Sequence, residues 1–129
     1  MRTRWHIVNL GKLRQKGTVI RFSFVVPSYA KQLIGLYVFS PEMANLEPKN
    51  EDIQLSLLVN NEAQIPVAHS FSLGMNCIDD NILIGQVLKL NAPINKGERI
   101  SGYVEKLSIP IREEYIEVKL YLKFEEYED

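Results

Sequence analysis

Three side chains in this sequence could bind a metal ion or act as a nucleophile: His6, His69 and Cys77, the single cysteine. A zinc site needs about four nitrogen or sulfur ligands, or about three with an open position, and neither histidine has a ligand-forming neighbour two or four positions away. A reactive cysteine needs an electropositive setting, whereas Cys77 is followed closely by Asp79 and Asp80. We therefore expect no metal site and no catalytic cysteine.

The acidic side chains do not have the spacing of an acid–base pair. The segment CIDDN (77–81) resembles a fragment of a calcium loop, but it lacks the further oxygen ligands and the glycine of such loops, so it predicts a polar turn. Glu51 and Asp52 are adjacent, as are Glu113 and Glu114, and neighbours on a strand point to opposite faces. Glycine-rich phosphate loops are also missing from the sequence. We expect a protein that is not an enzyme and needs no cofactor.

The aromatic residues leave one alternative function open. Trp5 and the tyrosines, among them Tyr121 on the polar side of its segment, could form a sugar-stacking platform like that of a carbohydrate-binding module. Such platforms favour tryptophan, and this chain has a single one. Glycan binding is therefore the alternative hypothesis.

Charge is divided unevenly along a chain whose net charge is only −1. Residues 1–21 contain lysine and arginine but no acid, whereas the charged residues of 113–129 are seven acids and two lysines. The two ends could pair in one sheet, where opposite charges on neighbouring strands contribute about 0.2–1 kcal/mol, or they could meet between subunits and build rings or arrays. The hypothesis of contact between subunits predicts these interface residues: Arg2, Arg4, Trp5, Lys12, Arg14, Lys16, Glu125, Glu126, Tyr127, Glu128 and Asp129.

The small net charge gives no bulk field that would attract nucleic acid or a membrane. The basic segment 1–21 without a shaped groove would bind nucleic acid weakly and in a salt-sensitive way. The first 17 residues have no apolar core of signal-peptide length, and no apolar run approaches the roughly 18 residues of a membrane span. These features favour a cytoplasmic protein that binds other protein subunits.

Length and hydrophobic periodicity predict the fold class. At 129 residues the chain is expected to form one domain, 1–129, and with one cysteine it has no intrachain disulfide. Segment 33–41 is apolar on both faces, which predicts a central strand, and Asn60, Asn61 and Glu62 predict a hairpin turn. The segments that predict strands are 3–10, 17–27, 33–41, 52–59, 81–93, 98–110 and 114–125, with 65–71 as a candidate eighth.

Helical spacing is limited to one or two turns in 40–48 and, more weakly, 27–33. Seven or eight short, alternating segments are typical of antiparallel sheets that bury one face. The sequence therefore predicts an all-β, antiparallel two-sheet β-sandwich of jelly-roll or Greek-key type. A closed barrel is the alternative architecture.

The rhythm of strands and loops from LIGLYVFSP through IQLSLLVNNEAQIP and GQVLKLNAPINKGERISGYVE to EVKLYLKFE resembles small β-sandwich auxiliary or decoration proteins of tailed-phage virions. The similarity covers residues 33–124 and includes no diagnostic motif. The resemblance implies a non-enzymatic subunit that binds a capsid or tail lattice in many copies, and hence a location in the virion.

Overall fold

The computed structural model describes residues 2–14, 16–45, 47, 51–59, 62–79, 82–85, 87–95, 97–107 and 115–127. Within these ranges the protein is all-β, and every pair of neighbouring strands is antiparallel. The ten strands are β1 (Thr3–Leu13), β2 (Val19–Val25), β3 (Ala30–Phe39), β4 (Ile53–Val59), β5 (Glu62–Phe71), β6 (Cys77–Asp79), β7 (Ile82–Ile84), β8 (Leu88–Pro93), β9 (Arg99–Lys106) and β10 (Ile116–Glu126).

Eight of these strands form two four-stranded sheets. Sheet A has the order β1-β10-β3-β8, sheet B has the order β2-β9-β4-β5, and β6 pairs only with β7 in a small hairpin. The prediction that 33–41 forms a central strand is confirmed, because β3 lies between β10 and β8. The first and last strands, β1 and β10, are neighbours in sheet A, so the basic and acidic segments pair within one chain.

The core lies between alternating side chains that both sheets contribute. In β10 every second residue from Ile116 to Phe124 is buried, as the alternation predicts, and the residues between them are partly exposed. Because burying a large aliphatic or aromatic side chain contributes about 1.5–3 kcal/mol, this strand is a major source of stability. One hydrophobic cluster joins side chains of sheet A, including Leu13, Leu33, Leu36, Val38 and Leu122, with side chains of sheet B, including Ile53, Leu55, Leu57, Ile100 and Val104.

The prediction of one strand over 81–93 is wrong, because the segment is divided into β7 and β8. Gly85 lies between them with a φ of 127°, a conformation that side-chain-bearing residues rarely adopt. A Cβ atom at Gly85 would collide with Asn76. Residues 77–79, predicted as part of a polar turn, form β6 instead. Together these differences raise the predicted seven or eight strands to ten.

The two segments with helical spacing form β-turns instead of helices. The amide of Met43 donates to the carbonyl of Ser40 at 3.1 Å, and the amide of Ala30 donates to the carbonyl of Pro27 at 3.0 Å. The first turn does not continue because pairing of β3 with β10 begins at Ala30, and after Ser40 the turn is held against sheet A, where the Glu42 carboxylate accepts a hydrogen bond from the amide of Glu117 at 3.2 Å. The predicted hairpin turn at Asn60 and Asn61 lies outside the described residues, although β4 and β5 on either side of it do pair.

Gly102 is essential to the middle of sheet B. It lies in β9 between Phe22 of β2 and Leu57 of β4, and a Cβ atom there would collide with the backbone oxygen of Ser56. We expect Gly102→Ala to lower the free energy of unfolding by about 1–3 kcal/mol, because the backbone cannot yield as a flexible side chain would. Urea denaturation measures this change.

The matched control is Gly35→Ala in β3. Its Cβ atom would lie 3.3 Å from the Cβ of Lys123, a tight contact but not a collision. We expect a smaller loss of stability than for Gly102→Ala. Equal losses for the two variants would contradict this interpretation of Gly102.

His6 makes stability depend on pH. Its ring packs against Phe24 and Phe124, with centroids 5.2 and 6.3 Å away, and burial lowers the pKa of the imidazole from its ordinary 6.5. The unfolded chain therefore binds a proton first, and His6 should reduce stability as the pH falls below about 6.5. Thermal unfolding between about pH 7 and about pH 5 should show a smaller decrease in His6→Leu than in the unmodified protein. An unchanged pH profile in the variant would show that His6 is not the responsible group.

Candidate interaction surface

The outward face of sheet A presents a regular array of side chains from its first three strands. The pairing register aligns Ile7 with Tyr121 and Tyr121 with Tyr37, so Tyr121 lies at the centre. Residues two positions away on each strand complete the array, because alternate residues share a face. Its three rows are Asn9, Lys119 and Phe39; Ile7, Tyr121 and Tyr37; and Trp5, Lys123 and Gly35.

The aromatic rings of this array pack edge to face. The centroids of Trp5 and Tyr121 are 6.3 Å apart with the ring planes at 73°, and those of Tyr37 and Tyr121 are 5.8 Å apart with the planes at 88°. The ammonium of Lys123 lies 5.6 Å from the centroid of the Trp5 ring. Trp5 and Tyr121, which sequence reasoning placed in different parts of the chain, are therefore in contact, but their faces are not coplanar.

The β6–β7 hairpin is attached to the outward face through Tyr37. The Tyr37 hydroxyl lies 2.8 Å from the carbonyl oxygen of Ile84 and 3.1 Å from that of Cys77, and these two residues are opposite each other in the hairpin. Tyr37 is fully buried. Burial raises the pKa of Tyr37 to about 12, and the neighbouring Cys77 and Tyr121 contribute to the same rise.

A second anchor holds the chain just before β6. The side-chain amide of Asn76 donates to the carbonyl of Val38 at 3.1 Å and to that of Ser72 at 3.3 Å. Met75 precedes it with a φ of 63°, which is uncommon for a residue with a side chain. Asn76 and Tyr37 together fix the hairpin on β3.

Exposed apolar side chains occur in the hairpin and just before it. Ile82 and Ile84, two positions apart on β7, are 65% and 46% exposed, while Leu83 between them is half-buried. Met75, just before the hairpin, is 53% exposed. Scattered exposed apolar residues are ordinary, but three within residues 75–84 make this region a candidate interaction site.

The predicted charged interface is only partly assembled by the fold. Arg4 lies 2.8 Å from the carboxylate of Glu126, and its guanidinium carbon lies 4.3 Å from the centroid of the Tyr29 ring. A longer ion pair of 3.9 Å joins Lys31 and Glu125. The acidic end of β10 is therefore directed at basic residues of its own chain, while Tyr127 beside it is 49% exposed.

The predicted basic residues do not share one surface. Arg2 and Arg4 lie at the start of β1 and Lys12 lies near its end, so Arg4 and Lys12 are about 25 Å apart along the strand. Lys12 lies 4.3 Å from the centroid of the Tyr115 ring. Arg14 and Lys16 are exposed beyond the end of β1. Glu128 and Asp129 lie outside the described residues.

The candidate catalytic residues are placed far apart. His6 points from β1 into the core, where it contacts Phe24, whereas Cys77 lies in the hairpin on the opposite face of sheet A. The side chains of His69 and Asp79, and all of Asp80, Asn81, Glu113 and Glu114, lie outside what the structure describes. No group of three or more His, Cys, Asp or Glu side chains that could hold a metal ion occurs in the described part of the chain.

Sequence reasoning missed a buried acid and a buried base near one end of sheet B. The Asp52 carboxylate accepts a hydrogen bond of 2.8 Å from the amide of Leu73. Lys106 is almost fully buried; burial lowers the pKa of its ammonium, and the charge of Asp52 partly opposes this effect. Lys106 lies two positions after the inward-facing Val104 in β9, so the alternation of the strand could have predicted that Lys106 faces inward.

No protein-family model and no curated protein sequence gives a significant match to this chain. No helix of the described residues is long and apolar enough to cross a membrane.

The anchoring role of Tyr37 can be tested by removing its hydroxyl. We expect Tyr37→Phe to lower the free energy of unfolding by about 1–3 kcal/mol, because the carbonyls of Cys77 and Ile84 lose a buried donor. Hydrogen exchange should accelerate most in β6 and β7. Tyr121→Phe is the matched control, since the Tyr121 hydroxyl has no hydrogen-bond partner in the part of the chain that the structure describes.

Tyr37→Phe also tests the pKa of Tyr37. The unfolded chain loses the phenolic proton near the ordinary value of about 10, whereas the folded protein retains it until about 12, so stability should fall as the pH rises through this window. Tyr37→Phe should reduce that fall, as measured by denaturation at a series of alkaline pH values. A fall of the same size in Tyr37→Phe would contradict the assignment.

Proposed function

We propose that this protein is a non-enzymatic structural subunit of a larger ordered assembly, and that the exposed apolar hairpin β6–β7 is its main contact with a neighbouring subunit. The observation that carries this proposal is the exposure of Ile82 and Ile84 on a hairpin anchored to the sheet, with Met75 exposed just before it. Covering exposed apolar side chains with a partner stabilises the complex by about 25 cal/mol for each Å² of apolar surface that is buried.

The arrangement of the strands supports an architecture suited to such a role. We infer that the two sheets stack as a sandwich of jelly-roll type, with β6–β7 as an insertion. Without the hairpin, eight strands remain, and successive strands lie in different sheets except for β4 and β5, which pair in sheet B. This is a double Greek-key order, with β1 beside β10 in sheet A and β2 beside β9 in sheet B.

Jelly rolls occur in viral capsid proteins, in lectins and in cupins, so the fold by itself does not select among these functions. The proposal that this protein is a virion subunit therefore rests on three features together: this architecture, the exposed apolar residues of the hairpin, and the resemblance in strand rhythm to phage decoration proteins. Capsid auxiliary or tail-associated proteins are the class we propose, located in the virion.

The charged ends have a secondary role in this proposal. Exposed ion pairs contribute about 0–1 kcal/mol each, so they set orientation and partner choice while apolar area supplies affinity. Because Glu126 and Glu125 already pair with Arg4 and Lys31, Tyr127 is the residue of the acidic end that we expect to reach a neighbour.

Nothing in the geometry of the aromatic residues favours the glycan alternative. A sugar-stacking platform needs flat, open ring faces, but the rings of Trp5 and Tyr121 are nearly perpendicular and Lys123 lies over the Trp5 ring. A glycan array remains the direct test of that alternative. Clear hits that are lost in Trp5→Ala or Tyr121→Ala would replace the structural role with a carbohydrate-binding one.

The assembly proposal predicts that a variant of the hairpin is incorporated into the native complex less often than the unmodified protein. We expect Ile82→Ser with Ile84→Ser to fold normally, since both side chains lie outside the core, but to enter the native complex about tenfold less than the unmodified protein. Co-expression of the two forms, isolation of the complex and mass spectrometry give the ratio of incorporation.

The control is Val25→Ser on β2, whose side chain is 53% exposed but lies away from the hairpin. It should enter the complex at close to the ratio of the unmodified protein. Incorporation of the double variant at that same ratio would refute the role of the hairpin, and a protein that is monomeric in its native extract would refute the assembly itself. Truncation after Phe124 is a poor test, because it would remove Glu125 and Glu126 from β10.

A further inference from the structure

The four outermost strands of the two sheets are not protected equally. A strand at the edge of a sheet exposes unpaired backbone groups, and proteins often guard such edges with proline. Of the outermost strands, β5 contains Pro66 and β8 ends at Pro93, whereas β1 and β2 contain no proline. The contact between His6 of β1 and Phe24 of β2 places these two proline-free strands on the same flank of the protein.

The backbone groups that β1 offers can be identified from its pairing with β10. The amide of Glu126 donates to the carbonyl of Arg2, and residues opposite each other in an antiparallel pair alternate between bonded and non-bonded pairs. The residues bonded to β10 are therefore the even-numbered ones, and the following residues direct N–H and C=O away from it: Thr3, Trp5, Ile7 and Asn9.

This open edge is long enough for another strand. Thr3 to Asn9 spans about 20 Å, and it ends at the bulge between Asn9 and Gly11, where β1 comes close to Ile20 of β2. Ile7 is 54% exposed in the middle of the edge, so it could contact a side chain of an added strand. In the described part of the chain, β1 pairs with β10 alone.

Charge indicates which strand would fit. Residues 1–25, which include β1 and β2, carry no acid. Three acids of β10 lie beside β1: Glu117 is opposite Lys12, and Glu125 and Glu126 are paired with Lys31 and Arg4. Lys119 and Lys123, which face outward on β10 beside β1, have no carboxylate partner among the described residues. The flank is therefore positive.

A second copy of this chain fits poorly. If two β1 strands paired antiparallel, each copy would bring Arg4 and Lys12, and Arg2 just before the strand, to the shared edge, and β1 contains no acid that could pair with them. Like charges close together across a strand pair are destabilising. The positive flank thus disfavours self-association and favours an acidic partner.

We propose that the Thr3–Asn9 edge of β1 binds an extended, acidic segment of a partner protein, which adds to sheet A as a fifth strand beside β1. Main-chain hydrogen bonds to Trp5 and Ile7 provide the attachment, and the positive flank selects acidic side chains. The inference rests on the proposed interaction role, but it concerns a different surface from the β6–β7 hairpin.

The test uses the isolated full-length protein and a synthetic peptide of about nine residues in which glutamate alternates with valine and threonine. Trp5, the single tryptophan, reports binding through its fluorescence. We expect saturable binding that weakens at least about tenfold when salt rises from about 0.05 M to about 0.5 M, and about tenfold weaker binding of the matched peptide with lysine in place of glutamate.

Amide hydrogen exchange gives a signature that simple charge attraction would not produce. The amides of Trp5 and Ile7 should gain protection when the acidic peptide is added, while those of His6 and Val8, already bonded to β10, should not change. Protection of all four amides alike, or of none, would overturn strand addition. Equal binding of the acidic and basic peptides would overturn the selection by charge.

Ile7→Pro removes the outward amide at the centre of the edge without removing a bond to β10. We expect the variant to lose peptide binding while Ile7→Thr, which retains the amide, binds within about threefold of the unmodified protein. Full binding by a folded Ile7→Pro would refute the proposal, and if that variant does not fold, the exchange pattern decides. If the peptide does not bind but the hairpin variant is incorporated less, the edge site is rejected. The proposed role in an assembly would then still stand.

Discussion

Pairing of β10 with both β1 and β3 is the interaction on which the rest of the structure depends. Five of its side chains, Ile116, Val118, Leu120, Leu122 and Phe124, are fully or almost fully buried and lie in the cluster shared by the two sheets. Without β10, β1 would have no neighbour in sheet A, and the array around Tyr121 would lose its central row. The core, the outward face and the open edge therefore all depend on the alternation of one strand.

Much of the fold could be predicted because alternation survives wherever one face of a strand is buried. The strands that contain Phe22, Leu55 and Leu122 follow this rule and lie near their expected positions. The division of 81–93 could not be predicted in the same way, because the conformation of Gly85 depends on Asn76, which approaches it only in the folded chain. For the same reason, the β6–β7 hairpin depends on a hydrogen bond from the distant Tyr37.

Prediction of the candidate site was less successful, and the reason is geometric. Composition correctly identified a basic segment and an acidic segment, but it contains no information on strand direction. An extended β1 separates Arg4 from Lys12, whereas antiparallel pairing brings Arg4 to Glu126. Of the two alternatives that the sequence left open, the structure contains the first: the two charged segments pair within one sheet. Trp5 was placed among the interface candidates for its charge context, and its contact with Tyr121 became visible only through the strand register.

The adjacency of β1 and β10 also constrains the order in which this protein can fold. β1 is made early and its partner last among the described strands, so sheet A cannot close until nearly all of the described chain has left the ribosome. Contacts that are distant in sequence form slowly, because loop-closure entropy opposes them before burial compensates. During that interval both edges of β1 are unpaired, and charged side chains such as Arg4 and Lys12 discourage an exposed strand from pairing with another chain. We therefore expect these charges to limit aggregation most in the interval before β10 pairs.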